Sequence, residues 1–319
     1  MSTAPQAAIR VPDYLRALVD DAAIFPPGKS PLPAAVAAHR DHRAASYAEL
    51  LGSFVISDVR LAELLEVATG STSGTTGSTT DPLPVTVVVQ GGAGAIGPAV
   101  AWATGSDALD LRSIEIALRG SDTGDLPHNA RRIVTALDQL VADGALGDEV
   151  TVYVEPPRHY GDEPGHGWLA ALDEIAAANH WLKFRTGGAE TEDFPSADEL
   201  ATSISAALDR ELRFKCTAGL HNALRHRDEE TRLEHHGFLN VLLATRASLD
   251  GASRTGVAGV LELADPDAVL RLVADAEDGL AGARSWFTSF GSCSVLEPLE
   301  DLIALDLLPA SLTGSLDRA

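Results

Sequence analysis

Two stretches carry the residue types best suited to chemistry: LKFRTGG at residues 182–188 and FKCTAGLH at residues 214–221. Side chains alternate along an extended strand, so Lys183 and Arg185 share one side, as do Lys215 and Thr217. If those sides face a common interior, two lysines and an arginine converge there. Unpaired buried cations are costly, which points to an anion held between them. A lysine beside a second cation is a candidate for a free amine that attacks a carbonyl or removes a proton. As ammonium groups, Lys183 and Lys215 would instead anchor substrate charge or form internal salt bridges. Arg185 suits a carboxylate or phosphate, because its planar donors grip two oxygens and it stays protonated. Gly187 and Gly188 leave room for backbone N–H groups to approach the same anion, although a tight turn explains them almost as well.

Glu155 ends the run VTVYVE, and Pro156 and Pro157 stop that strand and hold Arg158 and His159 in the loop beyond it. Glu155 is placed either to neutralise Lys183 or to carry a proton; Arg158 is a substrate contact or a solvated loop residue. Thr217 and His221 bracket AGL, and the imidazole titrates near neutrality, which suits an acid or base. In FGSCSVLEPLEDL, Gly291 and Ser292 form a turn ahead of a helix entered near Pro298, either an anion-binding turn or a cap.

The elements that position these groups recur in a fixed order. Strand-like runs at residues 53–57, 85–90, 112–118, 150–155, 181–186, 213–217, 258–262 and 286–290 are separated by helix-length Ala- and Leu-rich segments, and a further helix is expected near residues 32–45. This count predicts an α/β fold, a single (β/α)8 TIM-like barrel with an N-terminal extension, spanning residues 1–319 as one domain. A doubly wound open sheet has the same local pattern and is the rival architecture. The Gly-, Ser- and Thr-rich residues 69–82 read as a flexible loop. LVDDAAIFPPG reads as an N-terminal packing segment; the alternative is that one of its acids, Asp21, reaches a cation at the barrel mouth.

Composition narrows the partners. The formal charge of −22 would repel nucleic acid or an anionic membrane, and no apolar run is long enough to cross a bilayer. The N-terminal residues lack a secretory pattern, so a cytoplasmic location is expected. Cys216 and Cys293, the only 2 cysteines, read as reduced thiols, with Cys216 directed away from Lys215. His226, His235 and His236 crowd the same region as His221 and read as surface residues; without an H-E-x-x-H or C-x-x-C pattern, no metal is expected. Gly92, Gly94 and Gly97 match G-x-G-x-x-G formally, but Pro98 lies in the short helix that follows and Asp110 precedes the third strand instead of ending it, so no organic cofactor is expected either.

LVDDAAIFPPG, LKFRTGG, FKCTAGLH, HHGFLNVLL and SFGSCSVLEPLEDL together resemble a family of bacterial α/β proteins to which no activity is assigned. Lys183 and Lys215 near strand ends also resemble the lysines of aldolase-type barrels, which implies that one forms a Schiff base and the other tunes it. The expected function is an enzyme for a small phosphorylated or carboxylated metabolite, working by aldol, lyase or enolate-forming isomerase chemistry. Lys183, Lys215, Glu155 and His221 are its candidate catalytic groups, and Arg185, Thr217, Arg158, Gly187, Gly188, Gly291 and Ser292 its candidate binding groups. A noncatalytic anion-binding or regulatory protein is the alternative, and a structural domain the third.

Overall fold

The computed structural model describes residues 10–70, 81–120, 125–161 and 163–312. Seven parallel strands come first in the chain: β1 (Val19–Asp21), β2 (Leu51–Ser57), β3 (Leu83–Val89), β4 (Leu109–Ala117), β5 (Thr151–Glu155), β6 (Trp181–Arg185) and β7 (Phe214–Thr217). A short antiparallel pair, β8 (His226–Arg227) and β9 (Glu234–His235), then interrupts the series. The last strand, β10 (Phe287–Ser292), pairs with both β7 and β1 and closes a barrel of eight parallel strands.

Helices cover the outside: α1 (Leu32–Ala44), α2 (Leu61–Ala68), α3 (Ala93–Thr104), α4 (Asp125–Ala142), α5 (His166–Ala177), α6 (Ala197–Leu208), α7 (Phe238–Leu249), α8 (Arg254–Leu261), α9 (Pro266–Asp275), α10 (Glu277–Arg284) and α11 (Leu296–Ala304). α4 shows why they pack as they do. Its buried Leu126, Ala130, Ile133 and Leu137 recur at helical spacing and form one apolar stripe in the buried core. α6 starts at a capping box in which Ser196 Oγ accepts from the Glu199 amide at 3.2 Å and Glu199 accepts from the Ser196 amide at 2.8 Å. α7 is buried from Phe238 to Thr245, because α8 and α10 pack over it.

The single (β/α)8 barrel is thus the observed fold, with β2 to β7 at the six predicted positions nearest the N-terminus. Two expectations fail. Residues 258–262 are not a strand: Ser253 Oγ caps the preceding turn by accepting from the Gly256 amide at 3.2 Å, and Val257, Ala258 and Leu261 bury one face of α8. A short apolar run of this kind has no period that separates strand from helix. The missing strand is β1, in the segment read as an N-terminal extension. Its three residues include two carboxylates, yet all three are buried because its two faces meet different partners. Asp20 turns inward, while Asp21 turns toward α1 and accepts from His39 Nδ1 at 2.9 Å. Of the expected loop at residues 69–82, residues 71–80 lie outside the described residues.

Candidate functional site

Alternation along β4 sends Ile114 and Ile116 to the helix layer and Ser113 and Glu115 to the interior. Register then aligns the charged residues, with Lys183 of β6 opposite Lys215 of β7, Arg185 opposite Thr217, and Ala117 opposite Glu155. The result is a continuous chain of ion pairs through the barrel. Asp20 Oδ2 lies 2.6 Å from Lys215 Nζ, whose other carboxylate partner is Glu115 Oε1 at 2.6 Å. Glu115 Oε2 reaches Lys183 Nζ at 2.7 Å, Lys183 Nζ reaches Glu155 Oε2 at 2.8 Å, and Glu155 Oε1 reaches Arg185 Nε at 3.0 Å. Three cations therefore alternate with three carboxylates, and the cluster is neutral.

That alternation sets the protonation states. Burial opposes ionisation of Glu115, but the Lys183 and Lys215 ammoniums outweigh it and hold its carboxyl down at about 2. Glu155 is likewise disfavoured as an anion by burial, yet Lys183 and Arg185 lower its pKa below the ordinary carboxylate range. Burial alone would deprotonate the lysines; Glu115 with Glu155 raises the Lys183 pKa, and Asp20 with Glu115 raises that of Lys215. As the site stands, both lysines act as ammonium groups and both glutamates as carboxylates.

Hydroxyl groups complete the interior. Asp20 Oδ2 accepts from Ser289 Oγ at 2.6 Å, and Asp20 Oδ1 accepts from the amide and hydroxyl of Ser53 at 3.0 and 3.2 Å. Ser53 Oγ lies 2.5 Å from Thr86 Oγ1, and Thr86 Oγ1 lies 2.6 Å from Ser113 Oγ. A Cβ on Gly52 would stand 2.2 Å from Asp20 Oδ1, so glycine keeps open the space that the fixed carboxylate occupies. Burial raises the Tyr153 phenol to about 12, and its ring lies 5.2 Å from Lys215 Nζ.

Of the residues singled out in the sequence, Lys183, Lys215, Glu155 and Arg185 come together. Thr217 lies beside them across from Gly291, where an added Cβ would sit 3.8 Å from Thr217 Oγ1. His221 belongs to a separate group, with Nδ1 3.0 Å from Glu297 Oε2 and 3.4 Å from Cys293 Sγ. Arg158 turns to α6, where Nη2 meets Glu199 Oε2 at 2.5 Å. A Cβ on Gly187 would lie 2.9 Å from the Gly219 Cα, so this glycine allows two loops to touch backbone to backbone. The space beside Gly188 is taken by the Asp193 carboxylate. Ser292 is fully buried and donates to the Ser294 carbonyl at 2.6 Å, while Ser294 Oγ accepts from the Glu297 amide in the first turn of α11. Cys216 is buried among apolar residues of the outer layer, where desolvation raises its thiol pKa.

Sequence reasoning missed Glu115 and, in the alternative that put an acid of LVDDAAIFPPG at a cation, named the other aspartate. Asp20, not Asp21, meets the cation, because Asp21 faces α1. Glu115 had one signal: in LRSIEIAL it shares a strand face with Ser113, a polar face in an otherwise apolar strand.

The cluster runs between two differently shaped ends. At the carboxyl ends of the strands, Arg185 keeps 42% of its side chain exposed, and Glu155 keeps 14%. At the amino ends, a cavity of about 560 Å³ descends to Asp20 and Lys215. Reaction centres of such barrels lie at the carboxyl end, where loops bring residues from several strands together. The exposed Arg185 edge therefore marks the mouth better than cavity size does. Fold and interior together define a (β/α)8 barrel with a neutral, alternating ionic core. Comparison of the chain with protein-family models, curated proteins and solved structures found no match.

Proposed function

We propose that the chain is an enzyme acting on a small carboxylated or phosphorylated metabolite at the carboxyl-end mouth, by lyase or isomerase chemistry through an enolate. The observation that carries this reading is Glu155, shared between Lys183 at 2.8 Å and the partly exposed Arg185 at 3.0 Å. Arg185 offers its outer donors to a substrate anion. As that anion takes up the guanidinium, Glu155 loses part of the charge that lowers its basicity and becomes the group that removes a proton α to a carbonyl. The Lys183 ammonium then stabilises negative charge developing on the carbonyl oxygen. Proton transfer through the paired carboxylates fits better than a Schiff base, which needs an unprotonated amine.

A noncatalytic anion-binding protein is the second reading. It is favoured by the complete pairing of both lysines, which leaves the partly exposed Arg185, itself paired with Glu155, as the accessible edge of the cluster. Calorimetric titration with short-chain 2-oxo acids, hydroxy acids and phosphorylated aldehydes and ketones tests the shared part of both. Arg185→Ala should weaken binding of the anion identified in this way at least tenfold, with the fold intact by circular dichroism, since one charge-assisted fork is lost. Unchanged affinity in the folded variant rejects Arg185 as the anchor.

A further inference from the structure

The cavity at the amino ends of the strands is not used by the mouth chemistry. Barrels usually fill this layer with bulky branched side chains. Here Ser53, Ser113 and Ser289 are among the side chains around it, and the space left is about 560 Å³, within the range of small-molecule sites.

Charge offers an ionic ligand no net attraction. Lys215 and Asp20 at the base neutralise one another at 2.6 Å. At the entrance Arg43 and Arg112 are matched by Asp81 and Asp110, with Arg112 and Asp110 in direct contact. The lining as a whole carries no net charge.

Proton directions around the wall define the rest of the chemistry. Ser53 and Ser289 spend their hydroxyl protons on the Asp20 carboxylate. Thr86 must then donate to Ser53, and Ser113 must donate to Thr86. On the other side, Thr288 donates to the Phe214 carbonyl at 3.1 Å, so Tyr153 donates to Thr288. Every proton in these two chains points into the wall. Ser113 and Tyr153, at their ends, keep oxygen lone pairs that accept hydrogen bonds. Leu51, Pro82 and Pro84 add apolar surface to the same cavity.

We infer that this cavity is a second binding site, separate from the mouth, for a small neutral polyol whose hydroxyls donate to Ser113 and Tyr153 and whose C–H face lies on Leu51, Pro82 and Pro84. An acceptor-rich wall beside apolar surface, without net charge, matches a molecule that alternates hydroxyl donors with carbon and carries no charge.

The probes are glycerol, erythritol, xylitol, sorbitol and myo-inositol, with sorbitol 6-phosphate as the charged counterpart, followed by saturation-transfer NMR and thermal shift on the full chain. At least one neutral polyol should bind saturably, and sorbitol 6-phosphate should bind at least tenfold more weakly than sorbitol. Ser113→Val removes the terminal acceptor and should weaken binding at least tenfold. Thr151→Trp fills the lining at the first residue of β5 and should abolish binding even if Ser113→Val fails to fold. Arg185→Ala, at the opposite end, should leave polyol binding unchanged. Failure of all five polyols to saturate, tighter binding of the phosphate, or full binding in folded Thr151→Trp would overturn the inference.

Discussion

Replacing Glu115 with glutamine removes the one carboxylate shared by both lysines, at 2.7 Å from Lys183 and 2.6 Å from Lys215, while hardly changing side-chain volume. Each lysine keeps one carboxylate, Glu155 for Lys183 and Asp20 for Lys215, so the cluster is left with a net positive charge rather than a bare ammonium. Holding a carboxyl at about 2 instead of its ordinary 4.5 corresponds to roughly 3 kcal/mol in favour of the folded, ionised form. Breaking a buried ion pair typically costs about 3–5 kcal/mol, so the two routes agree. The sign follows from the lowered pKa: this stability is complete above the unfolded value of 4.5 and is lost as pH falls toward about 2. Urea melts of wild type and Glu115→Gln should therefore differ by roughly 3 kcal/mol near neutral pH with an unchanged m-value, and the gap should close in acid. A difference below about 1 kcal/mol at neutrality, or one that does not shrink between about pH 5 and pH 2.5, would refute the ion-pair account.

Other outcomes follow from the same geometry. Both lysines are held as ammonium groups by their carboxylates, so borohydride with a carbonyl ligand should leave no reduced adduct on Lys183 or Lys215; mass spectrometry showing one would restore Schiff-base chemistry. Raised lysine pKa values add stability that is complete below the unfolded value of 10.5 and lost as pH rises through the folded values, so alkaline unfolding of Lys215→Met should lack that component of the wild-type pH dependence. Iodoacetamide should label half-buried Cys293 and spare fully buried Cys216 in the native protein, and equal labelling by peptide mapping would contradict the burial of Cys216.

Alternation within a strand was enough to pair Lys183 with Arg185 and Lys215 with Thr217, since it depends only on neighbouring residues. Their partners depend on closure of the barrel. Asp20 and Lys215 lie 195 residues apart and meet only because β10 closes the sheet between β7 and β1. β1 was hidden by its length and its two carboxylates: VDD shows no apolar alternation, although both acids are buried. The run at the end of α8, open to a strand or a helical turn, was counted as a strand for the opposite reason, because GVLEL is apolar enough for either. The turn at Ser292 ahead of a helix was legible from its residue types, whereas the separation of His221 from Glu155 depends on loop paths that residue types do not specify.

The most direct test of the proposed chemistry follows the α-proton of a bound carbonyl metabolite in D2O by NMR. A ligand whose affinity depends on Arg185 should exchange that proton for deuterium in the presence of the wild-type protein. Folded Glu155→Gln should bind the same ligand and lose the exchange, because the amide cannot take the proton. Arg185-dependent binding without exchange in the wild type, or equal exchange in wild type and Glu155→Gln, would contradict enolate chemistry at this mouth.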